Sequence, residues 1–387
     1  MNDDKISATA EWNTESYDDF VRYELIGATD SFPDFEDPAT IYTHFLPNQN
    51  VDFFHRKFND PSTDSYLDPS PPLAGCKYYK LYVKIGNEYL TSKTTKFDSG
   101  RKGIRGLVFK GVLTAEENLF LSTNEGPWLY DLKSEEVKIK EVWPKFYEFN
   151  SGDTGQGLLL YGIDDFFNNF ISFDPDNFTE VSSIGSSPPL NFGSDFITSI
   201  NGFIFHKKTF PTNHIYIRDA SDFSLIASEE LPDDMAPYRP PIKLSETEYL
   251  IPSSQGSSPI FNLSEQGEII SIEYKNLPQE IIGKPLYISP DKSKIITTTD
   301  LTLTNTNFEI LATRDIIPSA ITFSHDSKSI YVGGIGKVTK LSAEDLSIIE
   351  EIELPDNLNV EQLISASDKL IVRHQWDYYT IIHTIHQ

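Results

Sequence analysis

A single cysteine, Cys76, in 387 residues leaves no internal disulfide framework and no cysteine-based zinc site. Basic residues are also scarce: 32 Lys and Arg stand against 58 Asp and Glu, a net charge of −26. General nucleic-acid binding and docking on anionic membrane both need clustered Lys and Arg, so neither is expected. No stretch approaches about 18 consecutive apolar residues, the length of a membrane-spanning helix. The start, Met1-Asn2-Asp3-Asp4-Lys5, has neither the basic nor the apolar part of a secretory leader, and a soluble cytoplasmic protein is expected. His-Glu-x-x-His, Gly-x-Ser-x-Gly and the phosphate loop with Lys are missing, so no catalytic residue, cofactor site or metal site is expected. Helical periodicity is scarce too.

What is present is a repeat. The chain is 39% hydrophobic and 13% aromatic, too apolar for a disordered one, and most of it alternates with the period of two that marks strands. A strand with Tyr or Phe, a polar turn and a second strand recur. They run from Trp128-Leu129-Tyr130-Asp131 to Val137-Lys138-Ile139 and from Phe170-Ile171-Ser172-Phe173-Asp174 to Phe178-Thr179-Glu180-Val181. Further copies centre on Asp219, Asn262, Asn305 and Ser342, and Trp376-Asp377 suggests a seventh. The turn positions 131, 174, 219, 262, 305 and 342 are spaced 43, 45, 43, 43 and 37 residues apart. Ahead of two copies lie strand pairs joined at Ser289-Pro290-Asp291 and Ser324-His325-Asp326, where Pro and Asp are turn formers. Four short strands per repeat of about 40–45 residues is the blade of a β-propeller.

Ser324-His325-Asp326-Ser327-Lys328-Ser329-Ile330-Tyr331-Val332-Gly333-Gly334, continuing through Leu341-Ser342 to Ile352-Glu353-Leu354-Pro355, resembles a YVTN-type propeller repeat, a relative of the WD-repeat class. The resemblance covers residues 285–357 and departs from the usual family pattern at His325, Gly334 and Ser342. The expectation is an all-β protein: a seven-bladed β-propeller over residues 76–387, with an acidic, aromatic-rich N-terminal extension or strap over 1–75. The last blade reads one strand short, with Val360–Ala366, Lys369–His374 and Asp377–Ile385. A hairpin about Gly86-Asn87 is expected to close the ring, through Asn87–Phe97 first and Tyr78–Ile85 second. Within the extension, Ser16–Ile26 reads as a short helix.

Charge is partitioned along the chain. Residues 1–76 carry −11, residues 77–110 carry +7 and the remainder −22. The island of Lys77, Lys80, Lys84, Lys93, Lys96, Arg101, Lys102 and Arg105 reads mainly as solvated strand faces, and alternatively as a basic docking patch for an acidic partner. Gly333-Gly334-Ile335-Gly336 reads as a hairpin turn between two strands and Gly152-Asp153-Thr154-Gly155-Gln156-Gly157 as a loop, since neither precedes a helix that would bind phosphate. Asp174-Pro175-Asp176-Asn177 with Glu180 lacks the glycine and glutamate of a calcium loop, and His374, His383 and His386 read as the surface of a terminal blade. The leading functional expectation is a non-catalytic interaction propeller, a scaffold or inhibitor, binding a protein with a basic surface and using no cofactor. The alternatives are a cytoplasmic immunity or antitoxin-type inhibitor of a toxin, and a metal-dependent hydrolase or lactonase of propeller type.

Overall fold

The computed structural model describes residues 8–14, 16–29, 35–45, 53–68, 76–98, 102–105, 108–113, 118–123, 126–134, 136–140, 146–153, 158–164, 170–174, 180–184, 197–200, 202–208, 213–232, 241–253, 257–355, 357–376 and 379–386. The chain divides into two compact units, residues 1–106 with 376–381 and residues 107–375 with 382–387. The expected boundary at 75/76 falls inside the first of them.

The first unit contains β1 (Ala8–Glu11), β2 (Phe20–Ala28), α1 (Pro38–Phe45), β3 (Phe53–Phe58), β4 (Ser65–Asp68), β5 (Cys76–Ile85), β6 (Glu88–Thr91), β7 (Thr95–Asp98) and β8 (Gly103–Arg105). Helix α1 starts where it does because Pro38 presets the first turn and the Asp37 carboxylate accepts the Ala39 N–H at 2.9 Å. Strands β3, β2, β5 and β6 form an antiparallel sheet in that order, and β7 pairs with β5 beside β6. The stretch expected to be a helix is largely strand β2. Its alternation of Arg22, Glu24 and Ile26 with Tyr23, Leu25 and Gly27 has period two, and this central strand is covered on both faces. One face packs Leu25, Phe54, Phe58 and Tyr79 against Ala8, Ala10, Trp12 and Tyr66 of the β1–β4 ribbon. The other packs Ile26, Ala28 and Tyr82 against Ile41 of α1 and Phe35.

In the second unit, four-stranded antiparallel sheets are drawn from residues 108–140, 146–184, 197–230, 242–276, 286–314 and 320–353, each with its strands in chain order. The first strands of neighbouring sheets lie side by side at most of these junctions, and Val360–Ser365 lies beside both Ala320–Phe323 and Val108–Leu113. Side chains reinforce that last junction. Gln362 imitates a strand by accepting the Gly111 N–H at 2.9 Å and donating to the Gly111 carbonyl at 2.8 Å. Arg373 donates to the Val108 carbonyl at 2.8 Å and to Gln362 Oε1 at 3.2 Å, and burial lowers its guanidinium pKa to about 10.

The cores are apolar clusters that join one sheet to the next, such as Phe205, Ile217, Tyr249 and Phe261, or Ile296, Leu303, Phe323, Ile330 and Leu341. The turns between third and fourth strands share one device. Asp131, Asp219, Asn305 and Ser342 each accept, through a side-chain oxygen, the N–H two residues on. Three of these turns place a large side chain at positive φ, Phe223, Phe308 and Leu346, and all three are buried beneath the turn. Ser264 holds the equivalent place, accepting the N–H of Gln266 and of Glu268, whereas the expected Asn262 still belongs to strand Ser257–Leu263.

The strands Val360–Ser365, Lys369–Trp376 and Tyr379–His386 form the last sheet, and its fourth strand is β8, whose Gly103, Ile104 and Arg105 pair with Ile381, Thr380 and Tyr379. Neither Asn87–Phe97 nor Tyr78–Ile85 takes that place. The hairpin at Gly86-Asn87 does form, but β5 is paired along one edge by β2 and along the other by β6 and β7, so it has no edge left to offer. At the β8 pairing any Cβ on Gly103 would collide with the Thr380 carbonyl oxygen, which explains the glycine there.

Candidate functional site

At one end of the sheet built from residues 320–353 three segments meet: 315–319, the turn 334–336, and residues 354–355 with 357–359. Antiparallel order dictates this, because Ala320 pairs with Gly333, so the segment leading into the first strand ends beside the turn leaving the second. Main-chain bonds knit them together. Ser319 donates to the Gly333 carbonyl from its N–H at 3.1 Å and its hydroxyl at 3.0 Å. Gly336 N–H donates to the Leu358 carbonyl at 2.9 Å, Leu354 N–H returns to the Gly336 carbonyl at 2.9 Å, and Val360 N–H reaches the Gly334 carbonyl at 3.2 Å. Gly336 has φ +67°, and a Cβ there would press on the Asn357 side chain.

This platform carries the two most exposed large apolar side chains among the described residues. Ile317 is 77% exposed and Ile335 is 68% exposed. Their exposure follows from how the loops are pinned. Ile316 packs on the core and Pro318 is buried, so the residue between them turns outward. Ile335 sits between two glycines whose backbones are tied down, which leaves its side chain pointing away from the core. The surroundings are acidic. Asp315, Glu353 and Glu361 are exposed, and Lys337 is paired with Glu351 at 2.6 Å. A rigid apolar projection with an acidic rim suits contact with another macromolecule.

The predicted basic patch is not one surface. Lys77 is only 1% exposed, forms an ion pair with buried Asp68 at 2.7 Å and lies over the Phe54 ring. Lys80 is also 1% exposed, its Nζ lies over the Tyr82 ring, and burial holds its pKa below the usual lysine range. Both are inside because the central strand β5 is covered on both faces, which a count of charges along the chain does not reveal. Lys84 is half-buried over Tyr89, while Lys93, Lys96 and Lys102 are exposed. Arg105 is placed by its backbone in β8, and Arg101 lies outside the described residues.

The same unit holds a charged group that was not anticipated. Glu24, 1% exposed on β2, meets Arg22 Nε at 2.6 Å, His55 Nε2 at 2.5 Å, the Tyr89 hydroxyl at 2.9 Å and Lys57 Nζ at 3.9 Å. Burial alone would raise the Glu24 pKa, but the hydrogen bonds from Arg22 and Tyr89 outweigh it and hold the carboxyl below its ordinary value. Burial pushes His55 below the usual imidazole range. The register gives the reason for the cluster: Glu24 stands opposite Lys57 on β3 and Tyr82 on β5.

Of the C-terminal histidines, His374 and His383 stack edge to face at 5.2 Å, and His374 Nδ1 meets the Asn359 carbonyl at 2.9 Å. Among the described residues no three His, Cys, Asp or Glu side chains converge as metal ligands would. The loops 154–157 and 175–179 lie outside the described residues. Among the described residues no helix is long and apolar enough to cross a membrane.

No protein-family model matches the chain, and no curated protein does. Among solved structures, the β-propeller domain of Cps50 (Swd1) from Myceliophteria thermophila is similar. It has a TM-score of 0.54 at 10% identity, over 73% of this chain and 99% of that domain. The fold is therefore propeller-like.

Sequence reasoning read Gly333-Gly334-Ile335-Gly336 as a hairpin turn, and it is one, joining the strands that end at Gly333 and begin at Lys337. It passed over Ile335 and Ile317. The available signal was an isoleucine between glycines in a tight turn, which places an apolar side chain where turns ordinarily carry polar ones.

Proposed function

We propose that this chain is a seven-bladed propeller with repeats of the YVTN and WD-like class, acting without catalysis as a protein-interaction module in the cytoplasm. The platform of Ile317 and Ile335 contacts the partner in this reading. Its carrying observation is the outward display of both isoleucines on loops locked by main-chain hydrogen bonds, because a pre-organised apolar projection loses little entropy on binding. The blade count draws support from the repeated four-stranded sheets and from the contact of residues 360–365 with 108–113. The partner surface is basic, since the second unit lies within the part of the chain that carries most of the excess acidic charge. An inhibitor of a basic toxin is a narrower form of the same reading.

The test is a quantitative pull-down from the native cell with the wild-type chain and an Ile317→Asp/Ile335→Asp variant. A protein retained by the first and lost by the second, with the two melting alike, supports the reading. Metal-dependent hydrolysis of a small ester or lactone by the purified chain would replace it with the hydrolase alternative.

A further inference from the structure

A groove of about 340 Å³ runs along β1 in the first unit. Five consecutive residues, Ala8 to Trp12, form one wall, and no residue of β4 takes part, so the groove follows the edge of β1 that faces away from its partner. The phase of the ladder fixes what that edge presents. The Trp12 N–H donates to the Asp64 carbonyl at 2.9 Å, and the register sets Ala10 opposite Tyr66 and Ala8 opposite Asp68. In an antiparallel ladder alternate residues bond inward, so Thr9 and Glu11 direct their N–H and C=O groups to the groove. Its floor is apolar, with Leu25, Tyr79, Leu81 and Phe97. Along the far wall lies exposed Lys96, and exposed Lys93 follows Ser92 of the lining, whereas the ammonium of Lys80 is buried over the Tyr82 ring and does not face the groove.

From these features we infer that the first unit binds an extended acidic peptide by strand addition to β1. The main-chain groups of Thr9 and Glu11 supply the pairing, the floor accepts every second side chain, and the cationic far wall selects carboxylates. The site is separate from the Ile317 and Ile335 platform.

The experiment uses the full chain and a fluorescein-labelled peptide of alternating valine and glutamate, read by fluorescence anisotropy. Saturable binding is expected, weaker for a peptide of alternating valine and threonine. Thr9→Pro removes an outward N–H and leaves the bonds to β4 in place, as proline on a strand edge does. It should weaken binding by about three- to tenfold, the net effect of losing one main-chain bond. Thr9→Val should bind like wild type, and so should Ile317→Asp/Ile335→Asp, which separates this site from the platform. The inference is overturned if the folded wild-type chain binds neither peptide, if Thr9→Pro binds as well as wild type, or if both peptides bind equally. Self-association through β1 that Thr9→Pro abolishes, without peptide binding, would overturn it in favour of a second copy of the chain.

Discussion

The two units bury charge differently. In the first, Glu24, Asp68, Lys77 and Lys80 are all almost wholly enclosed, and the strands are bound together by ion pairs and hydrogen bonds as well as by aromatic packing. The second is built on aliphatic and aromatic clusters between sheets; among its described residues it encloses the cations Lys207, Lys369 and Arg373 but no carboxylate. A buried ion pair adds little net stability but makes the structure intolerant of losing one partner, whereas an apolar core fails gradually with the volume removed. The first unit should therefore break on deletion of a single buried carboxylate, and the described part of the second holds none to delete.

The largest effect is expected at the Asp68 and Lys77 pair. Asp68→Ala removes the carboxylate that pairs with the buried Lys77 ammonium and accepts from the Tyr79 hydroxyl at 2.7 Å, so unfolding of the first unit should become easier by about 3–5 kcal/mol. The double variant Asp68→Leu/Lys77→Met should recover most of that in chemical denaturation. Failure to recover would mean that the pair contributes far more than its own desolvation cost.

Next is the junction of residues 360–365 with 108–113. Gln362→Ala removes both bonds to the Gly111 backbone, and a loss of about 1–3 kcal/mol is expected by urea unfolding, with faster hydrogen exchange at the Gly111 amide. If that amide exchanges as in the wild type, the side-chain clamp is not what holds the junction.

A smaller effect concerns acid. Burial by itself would raise the Asp291 pKa, but hydrogen bonds from Ser289 and Ser293 lower it from the ordinary 3.8 to about 2. The folded state then binds fewer protons than the unfolded one between those values. The carboxylate's contribution is present above pH about 4 and is lost as pH falls through about 2. Asp291→Asn should flatten the fall in melting temperature across that window, and an unchanged acid profile would show that the turn contributes nothing there.

The repeat was legible because its determinants are local. Ser289 and Asp291, or Ser324 and Asp326, lie two residues apart and bond to each other at 2.6 and 2.7 Å, so the turn is written in a few adjacent letters. Asp131, Asp219, Asn305 and Ser342 stand at their expected turns, the loop after Asp174 lies outside the described residues, and at Asn262 two extra strand residues moved the turn to Ser264. The first unit was not legible for the opposite reason. Strand β2 finds β5 across more than fifty residues, and only that pairing encloses Lys77 and Lys80 and turns a mixed polar segment into a central strand. The closing strand is illegible on the same ground: β5 is kept from the last sheet by β2, β6 and β7, which occupy both its edges. As for the platform, the turn at Gly334 to Gly336 could be read from its glycines, but not the neighbouring position of Ile317, which depends on the pairing of Ala320 with Gly333.

Replacing Ile317 and Ile335 should hardly touch stability, within about 0.5 kcal/mol, because neither side chain is packed in the core. It should nevertheless remove the partner, and this contrast tests the interaction reading most directly. The measurement is the amount of captured protein per mole of folded chain, for wild type and for Ile317→Asp/Ile335→Asp, at equal melting temperature. A protein captured by the wild type and lost at least tenfold by the variant is the predicted result. Equal capture by both chains would contradict the assignment of the binding face to this platform.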